Sequence, residues 1–462
     1  MIRDRAARTH LAPVRAVAIA AGVFALLFRP VAANAAPPVK PQQVSSDPFT
    51  NPTSQHQTEV EADNFSFGSS SVVATFQAGR FFSGGGSSGI GFATSTDGGG
   101  TWSNGFLPSL SVFSTPPGPF GRATDPTVAY DSAHGQWLIA TLACAAPPGT
   151  CFTATSITVS RSPDGLNWSA PVILASGSQD HEWIAGDNGS GNQHFGRCYV
   201  SWADIAGGVL ATSSSDDGGQ TWAPRASATG LFAPQSVVQP NGTLVVVGVT
   251  GGQTSFYNAD SSNDGGATFT SAQISPVVGT HGSTGMRVTP AAGIEVDGGG
   301  KLYVTWSDCR FRAGCSANDA VLSASTDAIS WSPLAPIPID AVTSGVDHFI
   351  PGLGADRATS GSSAHVVLTY YYFPDAACTV RTCRLNMGFI SSSDGGANWG
   401  TPIRLNKHPM RLSWLANTDL GHMVGDYTST AFADGRAVTV FAVANRPSHT
   451  GVLHEYMVAT AI

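Results

Sequence analysis

Ser95-Thr-Asp97-Gly-Gly99-Gly-Thr101-Trp102 is the stretch that decides the fold, because the chain repeats it. It returns as Ser215-Asp-Asp217-Gly-Gly219-Gln-Thr221-Trp222 and as Ser392-Ser-Asp394-Gly-Gly396-Ala-Asn398-Trp399. A copy ending in Phe is Ser262-Asn-Asp264-Gly-Gly266-Ala-Thr268-Phe269. Two shorter copies are Ser162-Pro-Asp164-Gly-Leu-Asn167-Trp168 and Ser325-Thr-Asp327-Ala-Ile-Ser330-Trp331. Successive Asp residues lie 67, 53, 47, 63 and 67 positions apart. The unit reads as a hairpin turn. Asp bonds backbone N–H groups just ahead of it, Gly takes the positive φ, and Ser or Thr ties the ends. The aromatic residue then opens the next strand. Self-similarity at a nearly fixed period means an array of like units.

Working outward, the flanks of each turn are short runs of strand character. Around the second turn they are Asp125-Pro-Thr-Val-Ala-Tyr130, Gln136-Trp-Leu-Ile-Ala-Thr-Leu142 and Thr155-Ser-Ile-Thr-Val-Ser160. The whole composition agrees. The 462 residues include 53 Gly and 29 Pro, and only 12% are charged. Such a chain is too apolar to be disordered and too rich in turn and β-branched residues to be mainly helical. The net charge is −8, and no run of Lys or Arg occurs, which excludes a nucleic-acid footprint.

The repeated turn resembles the Asp-box (BNR) repeat of the sialidase-like β-propellers, and the resemblance runs from about Glu59 to the C-terminus. It implies an all-β fold: a β-propeller of four-stranded antiparallel blades with each box between the third and fourth strands. After the sixth box come three more strand-like runs, within Val424–Phe432, Arg436–Ala442 and Val452–Ala459, with no box. The segment Val39–Pro52 can supply the missing fourth strand and close the ring. Seven blades are therefore expected, with six as the alternative. The expected organisation is a signal peptide over 1–35, an N-terminal segment over 36–58 that supplies the closing strand, and the propeller over 59–462.

The N-terminus supports export. Arg3, Arg5, Arg8 and Arg15 precede the apolar run Ala16–Phe28, too short to span a bilayer, and Ala33-Asn-Ala35 offers a cleavage site. Cleavage there removes five Arg and one Asp, leaving 18 basic and 30 acidic residues. Three close cysteine pairs suit an oxidising compartment: Cys144 with Cys151, Cys309 with Cys315, and Cys378 with Cys383. Each falls between a second and a third strand. Cys198 is left over, as a buried thiol. The expected protein is a secreted monomer with no membrane span and no nucleic-acid partner.

In a propeller the second-to-third loops share a face with the blade-to-blade loops, and the richest chemistry lies in the latter. They read Gly121-Arg-Ala-Thr-Asp125, Gln179-Asp-His-Glu-Trp183, His281-Gly-Ser-Thr-Gly-Met-Arg287, Val346-Asp-His-Phe349 and Asp419-Leu-Gly-His-Met-Val-Gly-Asp-Tyr427. Asp125, Glu182, Asp347, Asp426 and Tyr427 are the catalytic candidates. Arg122, His181, Trp183, Arg287, His348 and His422 are substrate-binding candidates, joined by Arg80, Arg310 and Arg446 at the ends of second strands, where guanidinium suits carboxylate recognition. Three readings of these loops stand side by side: loop capping, a polar catalytic or glycan-binding cup, and a divalent-cation site using His181, His281, His348 and His422.

Sialidases carry an Arg-Ile-Pro motif on the first inner strand. Here that strand reads Glu59-Val-Glu-Ala-Asp-Asn-Phe65, without Arg. The resemblance therefore implies the fold and not the sialidase catalytic set. Two functions follow: a secreted glycoside hydrolase of sialidase-like type, acting on an extracellular glycan, or a non-catalytic propeller that binds a glycan or a protein.

Overall fold

The computed structural model describes residues 40–462 except 146–149, 153, 253 and 449–451. The expected signal peptide over 1–35 lies outside the described residues. The described chain is built of antiparallel strands. Its unit is a four-stranded meander. Glu59–Phe67, Ser71–Arg80, Ser87–Ser95 and Ser103–Phe106 form the first. Arg122–Asp131, Gln136–Cys144, Thr155–Ser162 and Val172–Gly177 form the second, which touches the first through one bridge, Ser87 to Ala123. Later meanders begin at Gln179–Gly186, Leu231–Val238, Gly293–Val296 and Asp347–Ala355. The last sheet holds Thr430–Ala433, Arg436–Ala444 and Glu455–Ala461, and its fourth strand is Gln42–Gln43, paired with Ala459 and Val458. First strands lie side by side in chain order, and Thr430–Ala433 packs beside Glu59–Phe67.

Each repeated turn sits between the third and fourth strands of its meander, held by a shared set of Ser and Asp hydrogen bonds, to which the copies ending in Trp add an indole N–H bond. The Ser95 hydroxyl donates to Asp97 Oδ1 at 2.8 Å, Thr101 N–H donates to the same oxygen at 2.8 Å, and Trp102 Nε1 donates to the Gly99 carbonyl at 3.1 Å. The copies at Asp164, Asp217, Asp264, Asp327 and Asp394 repeat the Ser-to-Asp bond at 2.8–3.0 Å. In the copy without Gly, Ala328 itself takes a φ of 60°.

The core lies between the faces of successive sheets. Second strands such as Leu244-Val-Val-Val-Gly-Val-Thr250 are buried on both faces, so they read as unbroken apolar runs rather than as alternation. Leu138, Leu142, Ile157, Ile184, Val200 and Trp202 fill one interface, and Tyr257 stacks on Trp306 at 4.1 Å in another. Each such side chain contributes about 1.5–3 kcal/mol through burial. Part of the glycine content serves this packing and not the turns. A Cβ on Gly91 would stand 2.3 Å from the Phe76 ring, and one on Gly388 would stand 2.4 Å from Tyr370. The three cysteine pairs are disulfides, each between a second and a third strand, and Cys198 is a buried thiol. No helix among the described residues is long and apolar enough to cross a membrane.

Candidate functional site

A repeated irregularity of the first strands builds the site. In five of them two residues oppose one across the ladder, and the first of the two has positive φ: Glu61 (63°), Asp125 (50°), His181 (50°), Ala233 (49°) and Ile350 (50°). A bulge of this kind bends the strand and re-aims the side chain. The second bulge residue is Pro at Pro126, Pro234 and Pro351, which suits a position without a ladder partner. In Gln179–Gly186 it is Glu182.

Two of these bulges, at Asp125 and His181, open on a cavity of about 620 Å³. Asp125, Asp180, His181, Arg80, Arg287 and Asp426 line it, with Phe152, Ile205, Phe232 and Leu420 at its apolar edge. The Cys144–Cys151 disulfide borders it through Cys151. Arg287 makes a two-pronged bond to Asp426, with Nε 2.9 Å from Oδ1 and Nη2 on Oδ2. The Asp426 N–H donates to Glu61 Oε1 at 3.1 Å. Arg80, 2% exposed, donates from Nη1 to the Gly86 carbonyl at 2.5 Å. His181 stands edge-on to Tyr427, with ring centres 5.5 Å apart.

The electrostatics follow from burying several carboxyls together. Burial, reinforced by the charges of Asp125 and Asp426, raises Asp180 to about 7. The same causes lift Glu61 well above the ordinary carboxyl value. Burial would lift Asp426 as well, but the Arg287 guanidinium overrides it and holds the carboxylate below its usual value. Burial lowers His181, which favours the neutral ring.

The structure brings together Arg80, Asp125, His181, Arg287 and Asp426 from the sequence candidates and leaves the others outside the cavity lining. Glu182 is fully buried, with neither carboxyl oxygen hydrogen-bonded. Tyr427 is buried too, and its hydroxyl donates to the Pro126 carbonyl at 2.9 Å. Trp183 packs edge-on to Tyr427. Asp347 accepts bonds from Asn318 and Ser283 at 2.8 Å, and the His281 ring is 3.4 Å from it. Arg122 reaches the Ser83 and Gly85 carbonyls and covers Phe81. Arg310 is engaged by Asp308. Arg446 is exposed, and the His422 backbone pairs with Gly285 and Arg287.

The four histidines do not share one site. Among the described residues, the group with ligand-like spacing is Asp319, Asp340 and His348. A cation already stands there: Arg312 Nη2 lies 2.6 Å from Asp319 Oδ1 and 2.8 Å from Asp340 Oδ1.

The sequence did not single out Glu61, which lies behind the cavity wall and accepts the Asp426 N–H, and it marked Asp180 only as a carboxylate in the His181 loop. A second cavity, of about 370 Å³, lies at the opposite ends of the first strands, where Arg357 Nη2 is 3.7 Å from Glu295. It contains none of the candidates.

The buried carboxyls also set a stability profile. Burial lifts Glu59 to about 8 and Asp63 to about 6, so with Asp180 they hold protons that the unfolded chain has released. Their effect is that stability falls as pH rises from about 4 through 8. The turn residues Asp97, Asp264, Asp327 and Asp394 are held at about 2 by hydrogen bonds, and their stabilisation is lost as pH falls from about 4 towards 2. Melting temperature is therefore expected to peak near pH 4 and to fall on either side, as a scan from pH 3 to 9 reads directly. A continuous rise from pH 5 to 8 contradicts this profile.

No protein-family model matches the chain, and no curated protein matches it. Solved structures do. Phage phi92 endosialidase aligns with a TM-score of 0.50 and 11% identity, over 92% of this chain and 69% of that one. The Hadza microbial sialidase Hz136 aligns with a TM-score of 0.46 and 16% identity, over 88% of this chain and 66% of that one. The Trypanosoma rangeli sialidase in complex with the inhibitor DANA aligns with a TM-score of 0.46 and 14% identity, over 92% of this chain and 60% of that one. The chain spans less than two thirds of the length of the last two. The likeness to the phage enzyme is one of fold, that of the sialidase-like propellers.

Proposed function

We propose that this chain is a secreted Asp-box propeller of seven blades, its ring completed by the N-terminal strand, that hydrolyses an extracellular glycan at the cavity of Asp125 and Asp180. Two observations support the architecture. First strands follow one another until the last packs beside the first, and Gln42–Gln43 pairs with the C-terminal strand. Three disulfides fit export.

The observation that carries the function is the convergence of carboxyls with different proton affinities on one cavity. Glycoside hydrolysis needs a carboxylic acid to protonate the leaving oxygen and a carboxylate to act as base or nucleophile. Asp180, raised to about 7, suits the acid. Asp125, which has no Lys or Arg partner among the described residues, suits the carboxylate. Arg287 and Asp426 hold the wall in place. Tyr427, with its hydroxyl engaged, serves as packing beneath His181.

A panel of aryl glycosides, a sialoside included, tests the reading. Turnover of at least one, lost in Asp125→Asn and slowed in Asp180→Asn, is expected. No turnover of any member favours the non-catalytic binder, for which the exposed edge of Phe152, Phe232 and Leu420 is the supporting feature.

A further inference from the structure

Sialidase-like propellers invite the expectation of an acidic sugar. The charges that line this cavity point elsewhere. Arg287 is committed to a carboxylate of the protein, and Arg80 is buried and anchored by uncharged groups. Arg287 is forked onto Asp426. Arg80 is buried, with Nη1 on the Gly86 carbonyl and Nε 3.2 Å from the Met423 sulfur. Neither presents a free fork to a ligand carboxylate, and the next guanidinium at this end, Arg122, is tied to loop carbonyls.

The unspent capacity has the opposite sign. Among the described residues no Lys, Arg or His nitrogen lies within ion-pair distance of Asp125 or Asp180. Asp125 Oδ1 takes one bond, from the Thr124 hydroxyl at 2.8 Å. Asp180 receives none from another side chain. The second observation is His181. It is 6% exposed, it lines the cavity, and its Nε2 has no hydrogen-bond partner. A buried polar atom left without a partner costs stability unless a ligand or water completes it. Two open carboxyls and an open imidazole nitrogen are a receptor for N–H and O–H groups.

We infer that the sugar bound in this cavity carries a protonated amine, which the Asp125 carboxylate receives with the Asp180 carboxyl beside it as a further hydrogen-bonding group, and that O–H or N–H groups complete His181. This rests on the reading that a saccharide binds here and adds the class of saccharide. Phe152, 60% exposed, and Phe232, 43% exposed, stand at the edge of the cavity and give the apolar faces of sugar rings a surface to lie on. A small free amine would leave that surface unused. An anionic sugar would bring a like charge to carboxyls that no ion pair engages directly, which opposes binding.

The test is calorimetric titration of the exported protein at pH 7.5. The ligands are β-linked disaccharides of glucosamine and of galactosamine, their N-acetylated counterparts, sialyllactose, and a trilysine peptide. One amino-sugar disaccharide is expected to bind about tenfold or more tightly than its N-acetylated form. Sialyllactose is expected not to bind. In Asp125→Asn/Asp180→Asn, checked for folding by its melting curve, the amine preference is expected to shrink to about twofold, because the charges that create it are gone.

Several results overturn the inference: tighter binding of sialyllactose or of the N-acetylated form, a preference unchanged in the double variant, or trilysine binding more tightly than every sugar. Hydrolysis of neutral aryl glycosides without amine preference removes the inference and leaves the hydrolase reading. Amine preference without turnover of any glycoside does the reverse. Absence of binding by every saccharide removes both.

Discussion

Asp180→Asn is expected to slow hydrolysis of whichever aryl glycoside the protein turns over by about 10²–10⁴-fold, the range in which a positioned acid contributes. The expected melting temperature is unchanged or higher. Asp180 is desolvated and faces the charges of Asp125 and Asp426, which is why its carboxyl stays protonated to about pH 7. An amide of the same shape fills the same space, carries no charge to repel its neighbours, and cannot give up a proton. Activity and stability should therefore separate in this variant. The sign of the pH dependence follows from the raised value. Below about 7 the acid is present, and above it the acid is lost, so the wild-type rate should fall on the alkaline side near pH 7. Substrates whose leaving groups need little protonation should lose far less in Asp180→Asn and should keep their rate at high pH. A rate loss equal across leaving groups would remove Asp180 from the role of acid.

Arg287→Met carries the largest expected cost to folding, about 3–5 kcal/mol, because removing one partner of a buried ion pair leaves the other charge uncompensated. Asp426 is 6% exposed and both its oxygens face Arg287. Without the guanidinium, a desolvated carboxylate would stand near Asp125, Asp180 and Glu61. The pair also joins the segment before Gly293–Val296 to the segment entering the last sheet, so its loss loosens two elements far apart in sequence. Denaturant midpoints read the cost. Arg287→Met/Asp426→Leu should regain most of it, since replacing both charges by apolar groups of similar volume removes the unpaired ion. Arg287→Lys should fall between, because a single ammonium cannot reproduce the paired bonds. If the double variant is no better than the single one, the ion pair is not what holds these segments.

The repeated turn made much of the fold legible. Ser, Asp and Gly at fixed offsets mark a local structure that depends on nothing distant, so the boundary between the third and fourth strands of each meander could be read directly. The fourth strand of the last sheet was legible by subtraction, because three strands without a partner need a fourth, and Gln42–Gln43 fills that place. The close cysteine pairs were legible because each joins neighbours across a short loop.

The site was less so, and bulges are the reason. A one-residue slip in a strand reverses which side chains face inward, and no periodicity shows where the slip falls. His181 and Glu182 are adjacent in sequence, yet one lines the cavity and the other is sealed away from it. Glu61 sits in a strand whose expected mark is an Arg, and no feature of its neighbours in sequence shows that it stands at a bulge. The signal that finds it is positional: Asp125-Pro126, Ala233-Pro234 and Ile350-Pro351 mark the bulge in three first strands, and Glu61-Ala62 occupies the same place in another. Asp347 had the right residue type in the right loop, but Asn318 and Ser283 claim its oxygens. The glycine content misled in a smaller way. Turns account for part of it, while Gly91 and Gly388 exist to admit aromatic rings from neighbouring strands.

The central claim is that the cavity at the bulges is where the glycan reacts. A crystal structure of Asp180→Asn soaked with an oligosaccharide that the wild type cleaves tests it most directly. A sugar ring is expected in that cavity, within hydrogen-bond distance of Asp125 and His181, with the bond to be cleaved beside position 180. A sugar seated instead at the Glu295–Arg357 opening, or on the face that carries the repeated turns, would contradict it.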